Sequence, residues 1–357
     1  MDGVNLGQVL SRGALTAGTF FVDEGAGELV VMPPVGVDLN AVDVEVGTRG
    51  TLVRLQGMGN VVLKGLVFTH AASVFREAAV SIAEDSDVLL DGVAVEWNGQ
   101  NGLDLMGRGL TVRDSTFNHN GSSGLQAYKV AGVQVVDSEA SYNNWRGVRG
   151  GYTSWEVGQK FSAAHRVSFT NFTSTHNQSR GLWLDTDDAD VTLDGAKLCD
   201  NLKDGLFVES NQGPITVRNS TFCSNGETGL LTSRSAHLTF TGNTFRNDAV
   251  AEMNFSGDFG GTVTDWETGQ TYNLENVGWS FRDNTVQNTA GKPLVGTTFP
   301  PSAWSGLMSS STFDHNTYRA SRRSVFQIGG GSFVDFTSWK TSTRQDAASA
   351  FTLTSTP

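Results

Sequence analysis

Asp185 and Glu209 are the side chains whose type and spacing most directly suggest chemistry. They close two matching runs, GLWLD at 181–185 and GLFVE at 205–209, which lie 24 residues apart. If one structural repeat separates them, strand pairing sets their carboxyl groups roughly 5–6 Å apart. Two carboxyl groups at about 5–5.5 Å can break a glycosidic bond by double displacement. Mutual repulsion raises the pKa of one acid, so one stays protonated as proton donor while the other attacks. A plainer reading stands beside this one. An acid at a strand end also caps turn amides, and Asp187, Asp188 and Asp190 make the neighbourhood a solvated acidic turn.

The spacing of the pair matters only if the chain is periodic, and it is. Six glycines precede an aliphatic residue: Gly102, Gly124, Gly147, Gly181, Gly205 and Gly229, at intervals of 22, 23, 34, 24 and 24. Four residues before each stands an asparagine: Asn98, Asn120, Asn143, Asn177, Asn201 and Asn225. One residue after each stands Leu103, Leu125, Val148, Leu182, Leu206 or Leu230. The stretches VRDSTFNHN (112–120) and VRNSTFCSN (217–225) nearly coincide. A column of asparagines can bond side chain to side chain up a stack of turns and tolerates the left-handed backbone of a tight corner. The period, with short β-branched runs and no long helix-period segment, predicts an all-β fold. It is a right-handed parallel β-helix of about 22–24 residues per rung, the hand following from the chirality of parallel crossovers. A leucine-rich horseshoe has a similar period but needs a different leucine spacing and a helix per unit.

Residues 1–357 read as one such domain. Residues 18–60 are expected to form capping strands, because a solenoid end must be covered. Segments 61–70 and 88–98 read as earlier rungs, and 280–289 and 311–320 as later ones. The long interval and an irregular stretch place inserted loops at 149–166 and 251–279, flanking a groove. Cys199 and Cys223 share a column, within reach of a disulfide; a stacked thiol pair is the expectation.

Alternation along a strand sends Leu182, Leu184, Leu206 and Val208 inward, and Trp183, Asp185, Phe207 and Glu209 outward. One outward column then reads Asp104, Gln126, Arg149, Trp183, Phe207, Leu231, and the next Met106, Tyr128, Gly151, Asp185, Glu209, Ser233. Sugars stack on aromatic faces and bond to charged groups, so this is a candidate groove floor. The insertion would bring Trp155, Glu156 and Lys160 to it, with Trp145 in the turn before. Trp183 could equally cover an apolar patch. His70, His119, His165, His176, His237 and His315 lack metal-ligand spacing. His119 and His176 share one turn column and read as turn residues.

With 25 Lys+Arg against 37 Asp+Glu, a net charge of −12 argues against a nucleic-acid partner. The sequence has no apolar run of about 18 residues that could span a membrane. The opening MDGVNLGQVLSRGAL lacks the pattern of a secretion signal. A secreted or periplasmic location is nonetheless expected for a protein whose partner is an oligo- or polysaccharide.

The motif GLWLD, followed one rung later by GLFVESNQGP (205–214), resembles the paired motif of the β-helix β-xylosidases, glycoside hydrolase family one hundred and twenty. The closing 338–351 is similar to a tail in such enzymes. The resemblance implies that Asp185 is the nucleophile and Glu209 the acid/base; no cofactor is expected for such a hydrolase. The chain has no room for the extra sandwich domain of those xylosidases, and 186–188 is more acidic than their motif. Two other readings share the fold. A polysaccharide lyase or uronan epimerase would use Lys160 or Arg149 as base and could hold Ca²⁺ on Asp185, Asp187 and Asp188. A glycan-binding or adhesion solenoid would have no catalysis at all.

Overall fold

Each rung turns on a few residues that other folds avoid. A non-glycine residue with positive φ closes the corner after the outward acid position on successive rungs: Lys129, Ala163, Thr186, Ser210 and Arg234. Asparagine and aspartate accept this conformation most readily; elsewhere the stacked neighbours must hold it. The computed structural model describes residues 1, 4, 6–147, 158–258 and 260–354, and divides them into two units, Met1–Thr48 and Arg49–Pro357. The first contains a three-stranded sheet in which Gly7–Val9 pairs parallel with Thr19–Asp23, itself antiparallel to Glu28–Met32. The span 18–60 is not one block of capping strands. Val53–Gln56 already belongs to the first rung, paired in parallel with Val80–Ala83.

The second unit is the β-helix, with parallel strands stacked rung on rung. The run Leu103, Leu125, Gln159, Leu182, Leu206, Leu230, Met253 forms one continuous inward register. The leucines and Met253 are at most 1% exposed, so hydrophobic burial fixes the register: a one-residue slip would turn the whole set outward. Aromatic columns fill the later rungs. Phe240, Phe281 and Phe313 stack at 4.7 and 4.8 Å between ring centroids. The segments read as earlier and later rungs are strands, among them Leu89–Asp91, Ala94–Glu96, Ser280–Arg282 and Thr317–Ala320. The C-terminal end is closed by the helix Phe336–Thr343, whose Trp339 is fully buried against Phe313 and Phe326. No helix among the described residues is long and apolar enough to cross a membrane.

The asparagine column is a hydrogen-bonded ladder. Asn98 Nδ2 donates to Asn120 Oδ1 (3.0 Å), and Asn120 to Asn143 (3.2 Å). Farther along, Asn177 donates to Asn201 (2.9 Å) and Asn201 to Asn225 (3.1 Å). The last amide needs only an acceptor, and Asp248 Oδ1 supplies it at 2.8 Å. A second ladder runs Asn243, Asn284, Asn316 and also ends on an aspartate, Asp346. His119 and His176 behave as turn residues. They carry positive φ and stack with Trp97 and Tyr142 in one corner column.

Three further expectations change. Cys199 and Cys223 form a disulfide across adjacent rungs rather than a thiol pair. The first insertion is also displaced. Its rung strand is Gln159–Thr170, and Gln159, not Val148, pairs with Leu182. Gly147 looks like the column glycine, but its φ of +61° serves a turn and no atoms crowd it. The crowded position is Gly158, where a Cβ would meet the Arg180 carbonyl oxygen at 2.2 Å. The insertion therefore falls between the Asn143 corner and Gly158, and 159–166 is strand. Likewise Ala251–Ser256 is a rung strand, and the second insertion is 257–278.

Candidate active site

Asp185 and Glu209 are paired residues of adjacent parallel strands, Leu182–Asp185 and Leu206–Glu209. Leu182, Leu184, Leu206 and Val208 are fully buried, so alternation turns both acids out of the stack. Neighbouring strands lie about 4.8 Å apart, which sets the two carboxyl groups on consecutive rungs of one outward column. That column runs Tyr128, Ser162, Asp185, Glu209, Ser233, Ser256. The adjacent one runs Asp104, Gln126, Lys160, Trp183, Phe207, Leu231. Lys160 and Ser162 thus fill the places read from sequence as Arg149 and Gly151. Arg149, Trp155 and Glu156 lie outside the described residues.

The two acids sit in unlike surroundings. Lys160 Nζ lies 2.6 Å from Asp185 Oδ2, and the Thr186 hydroxyl donates to Asp185 Oδ1 at 2.8 Å. Glu209 is more enclosed. Its Oε1 faces Arg234 at 3.3 Å, while Oε2 is buried with no hydrogen-bond partner. Burial first, then the Asp185 charge, pushes the Glu209 carboxyl above its ordinary range; Arg234 and Lys160 pull the other way. An acid with one enclosed, unpartnered oxygen is suited to keep its proton; Asp185 instead has an ammonium and a hydroxyl against its two oxygens.

The aromatic pair is placed as expected but is not open. Trp183 is 1% and Phe207 8% exposed. Lys160 Nζ lies 3.8 Å from the centroid of the Trp183 ring, and the Arg180 guanidinium stands 5.2 and 5.1 Å from Trp183 and Phe207. Arg180 is itself ion-paired to Asp204 at 2.9 Å. The outward indoles and phenyls are thus covered by cations, which replaces the reading of a bare stacking platform.

Other candidate residues fall into two groups. Gln126 and Tyr128 continue the columns toward the N-terminal rungs, with Tyr128 half exposed. Asp104 lies beyond Gln126; its Oδ1 is enclosed and unpartnered, and burial pushes its carboxyl up to about 7 against hydrogen bonds from Gln126 and Asn101. Trp145 is turned to the asparagine corner, where its Nε1 donates to the His119 carbonyl at 3.1 Å.

Asp185, Asp187 and Asp188 each face a different partner. Asp187 Oδ2 accepts the Trp266 amide at 2.8 Å. Asp188 is fully buried and accepts the Ala164 amide at 2.9 Å. His165, Asp187 and Asp265 bring donor atoms within 4.8 Å of one another. Both imidazole nitrogens of His165 are already engaged, Nδ1 with Glu267 at 2.8 Å and Nε2 with the Asp187 carbonyl at 2.9 Å. Sequence reasoning missed Arg234, Arg180 and this His165–Glu267 contact. Only the positive charges hinted at them, because each reaches its partner through the fold.

Comparison with known proteins bears on the fold. Set against the curated proteins, the sequence matches none. Among solved structures, XylC in complex with xylose superposes with a TM-score of 0.59 at 11% identity, over 98% of this chain and 65% of that one. The catalytic unit of an α-1,3-glucanase of glycoside hydrolase family 87 from Streptomyces thermodiastaticus gives 0.53 at 12% identity, over 80% and 51%. The periplasmic alginate epimerase AlgG gives 0.50 at 11%, over 69% and 70%. The chain spans about two-thirds of the XylC structure and half of the glucanase. At these identities the likeness is one of architecture. Residues 54–245 match the right-handed β-helix region, and the chain belongs to that family.

Proposed function

We propose that this β-helix is a retaining glycoside hydrolase acting on an oligo- or polysaccharide. The observation that carries the reading is the Asp185–Glu209 pair, in register on adjacent rungs and differently solvated. Asp185, ion-paired with Lys160, attacks the anomeric carbon. Glu209 gives its proton to the departing glycosidic oxygen. The C–O bond to the leaving sugar breaks as the ester bond to Asp185 forms. Water then attacks the same carbon, Glu209 takes its proton, and Asp185 leaves as carboxylate. Gln126, Tyr128 and Asp104 lie along the same columns and would contact sugar units beyond the cleavage point. The motif resemblance supports the finer reading of a family one hundred and twenty β-xylosidase. So does the fold likeness to XylC, whose structure holds xylose. The disulfide supports a secreted or periplasmic location, since such bonds persist in oxidising compartments.

The test is a screen of aryl glycosides and uronic-acid polymers on the wild type, Asp185→Asn and Glu209→Gln. Hydrolysis should proceed with retained anomeric configuration, and either substitution should lower it by about 10²-fold or more without loss of folding. Turnover that survives Asp185→Asn removes the assignment. Products that absorb in the ultraviolet through a new double bond would instead identify a lyase.

A further inference from the structure

Residues 257–278 leave the stack after the strand Ala251–Ser256 and reach back over rungs that come much earlier in the chain. The segment holds an antiparallel hairpin, Thr262–Thr264 with Thr271–Asn273. At its base Asp258 Oδ2 accepts the hydroxyls of Ser233 (3.0 Å) and Ser256 (2.8 Å). Ser233 is the next residue after Glu209 in the outward column. A Cβ built on Gly261 would lie 3.9 Å from Nη1 of Arg234, the residue whose Nη2 faces Glu209. The hairpin is therefore a side wall of the carboxylate pair.

Its tip is held mostly by charge. Glu267 accepts two bonds from Arg166 (2.8 and 2.7 Å), one from His165 Nδ1 (2.8 Å) and one from Arg108. The Arg108 guanidinium also stands 5.0 Å from the Trp266 ring centroid. Among the described residues of the segment, the only buried apolar side chains are Val263 and Leu274. A segment with so little apolar burial belongs to the readily opened part of a fold.

We propose that 257–278 is a strap along one side of the Asp185–Glu209 pair, fastened at its tip by the ion cluster of Glu267 with His165, Arg108 and Arg166. His165 is the switch in this cluster. The groups facing it are Asp187 from its neighbouring rung, Asp265 and Glu267 from the strap, and Arg166 beside it, with Arg108 reaching it through Glu267. Burial opposes its charge, but the bonds to Asp187 and Glu267 outweigh burial and raise it to about 9. Its contribution is complete below the free-histidine value and is lost as pH rises through about 9. With the tip released, Arg234 loses its packing against Gly261, and its hold on Glu209 loosens. Only this last consequence rests on the proposed hydrolase reading; His165 acts as a positioning residue.

Hydrogen exchange read by mass spectrometry on the full chain tests the strap, with protection corrected for the intrinsic rate at each pH. Peptides within 260–275 should lose at least about tenfold of their protection in Glu267→Gln at pH 7. Peptides covering 182–185 and 206–209 should keep theirs. Raising the wild type from pH 7 to pH 10 should produce the same local loss, and His165→Gln should show it already at pH 7. Should His165→Gln fail to fold, Glu267→Gln, altered on the strap alone, decides the matter. Unchanged protection at 260–275 in Glu267→Gln, or a loss spread over all rungs, overturns the proposal. A strap that opens as expected on a protein that cleaves no glycoside would refute the hydrolase reading and leave the strap standing.

Discussion

Lys160 Nζ sits 2.6 Å from Asp185 Oδ2 and so ties the candidate nucleophile to the rung before it. The same ammonium lies against the Trp183 ring at 3.8 Å, so its position is fixed by a second contact. A hydrogen-bonded ion pair of this kind contributes about 1.5–3 kcal/mol. Lys160→Met should therefore lower kcat/KM roughly 10- to 100-fold. It should also move the alkaline limb of the pH profile upward, because Lys160 lowers the Glu209 pKa and the proposed mechanism uses Glu209 in its protonated form. An alkaline limb that stays put, or moves down, would show that Glu209 is not the titrating acid.

Asp188 stands in a corner ladder where asparagine would serve. Its amide donates to Asn211 Oδ1 at 2.8 Å, its Oδ1 accepts the Ala164 amide, and its Oδ2 is buried without a partner. Asn211 Nδ2 donates to the Leu184 carbonyl at 3.0 Å. Phe161 pairs with Leu184, so the register sets the Phe161 carbonyl in the corresponding place for residue 188. Burial, with Asp185 and Asp187 adding to it, raises the Asp188 pKa well above the ordinary value. The stability it contributes is therefore complete below about pH 4 and declines as pH rises through its folded value. Asp188→Asn should stabilise the fold at pH 8 by on the order of 1 kcal/mol and change little at pH 4. Denaturant unfolding at the two pH values measures this, and equal effects at both would contradict the neutral-acid assignment.

The rungs were legible because burial writes itself as a period: the asparagine column and the inward leucines recur at each turn. The position of the first insertion was not, since Gly147–Val148 imitates the Gly158–Gln159 start that the structure uses. Local pattern cannot tell two glycines apart when packing decides between them. The acid pair was visible as two strand ends one period apart. The cover over Trp183 and Phe207 was not, because alternation gives a side chain's direction and says nothing of what lies on top. The His165–Glu267 contact joins residues 102 positions apart, through an insertion that breaks the period.

The Cys199–Cys223 disulfide joins paired positions of adjacent rungs, 24 residues apart. Closing a loop of this size removes freedom from the unfolded chain, and such bonds typically contribute about 2–4 kcal/mol. Both residues are buried, so serine at either position also introduces a buried hydroxyl. Cys223→Ala is the cleaner variant, and it should lower unfolding stability by roughly that amount. The same loss should follow reduction of the wild type, and the reduced wild type and the variant should then nearly coincide. A variant as stable as the oxidised protein would mean that ladder and core, without the bond, already hold these rungs.

The asparagine ladder ends beside two enclosed acids, Asp248 and Glu252. Asp248 Oδ1 accepts both the amide and the side chain of Asn225, at 2.7 and 2.8 Å. Glu252 Oε1 accepts the Asn288 side chain at 2.6 Å and the Asp248 amide at 3.2 Å. Asp248 Oδ2 and Glu252 Oε2 are both enclosed and without another partner. Burial raises the Asp248 pKa to about 6 and Glu252 well above its ordinary value, the latter also through repulsion from Asp248. Both shifts are upward, so the folded state holds protons that the unfolded chain releases near pH 4. Stability from this pair is complete below that point and falls as pH climbs through 6 and beyond. Glu252→Gln would replace the second acid with an amide that can donate to Asp248. Its unfolding free energy should then change less between pH 5 and pH 8 than that of the wild type, by on the order of 1 kcal/mol. A variant with the wild-type pH slope would place the protons elsewhere.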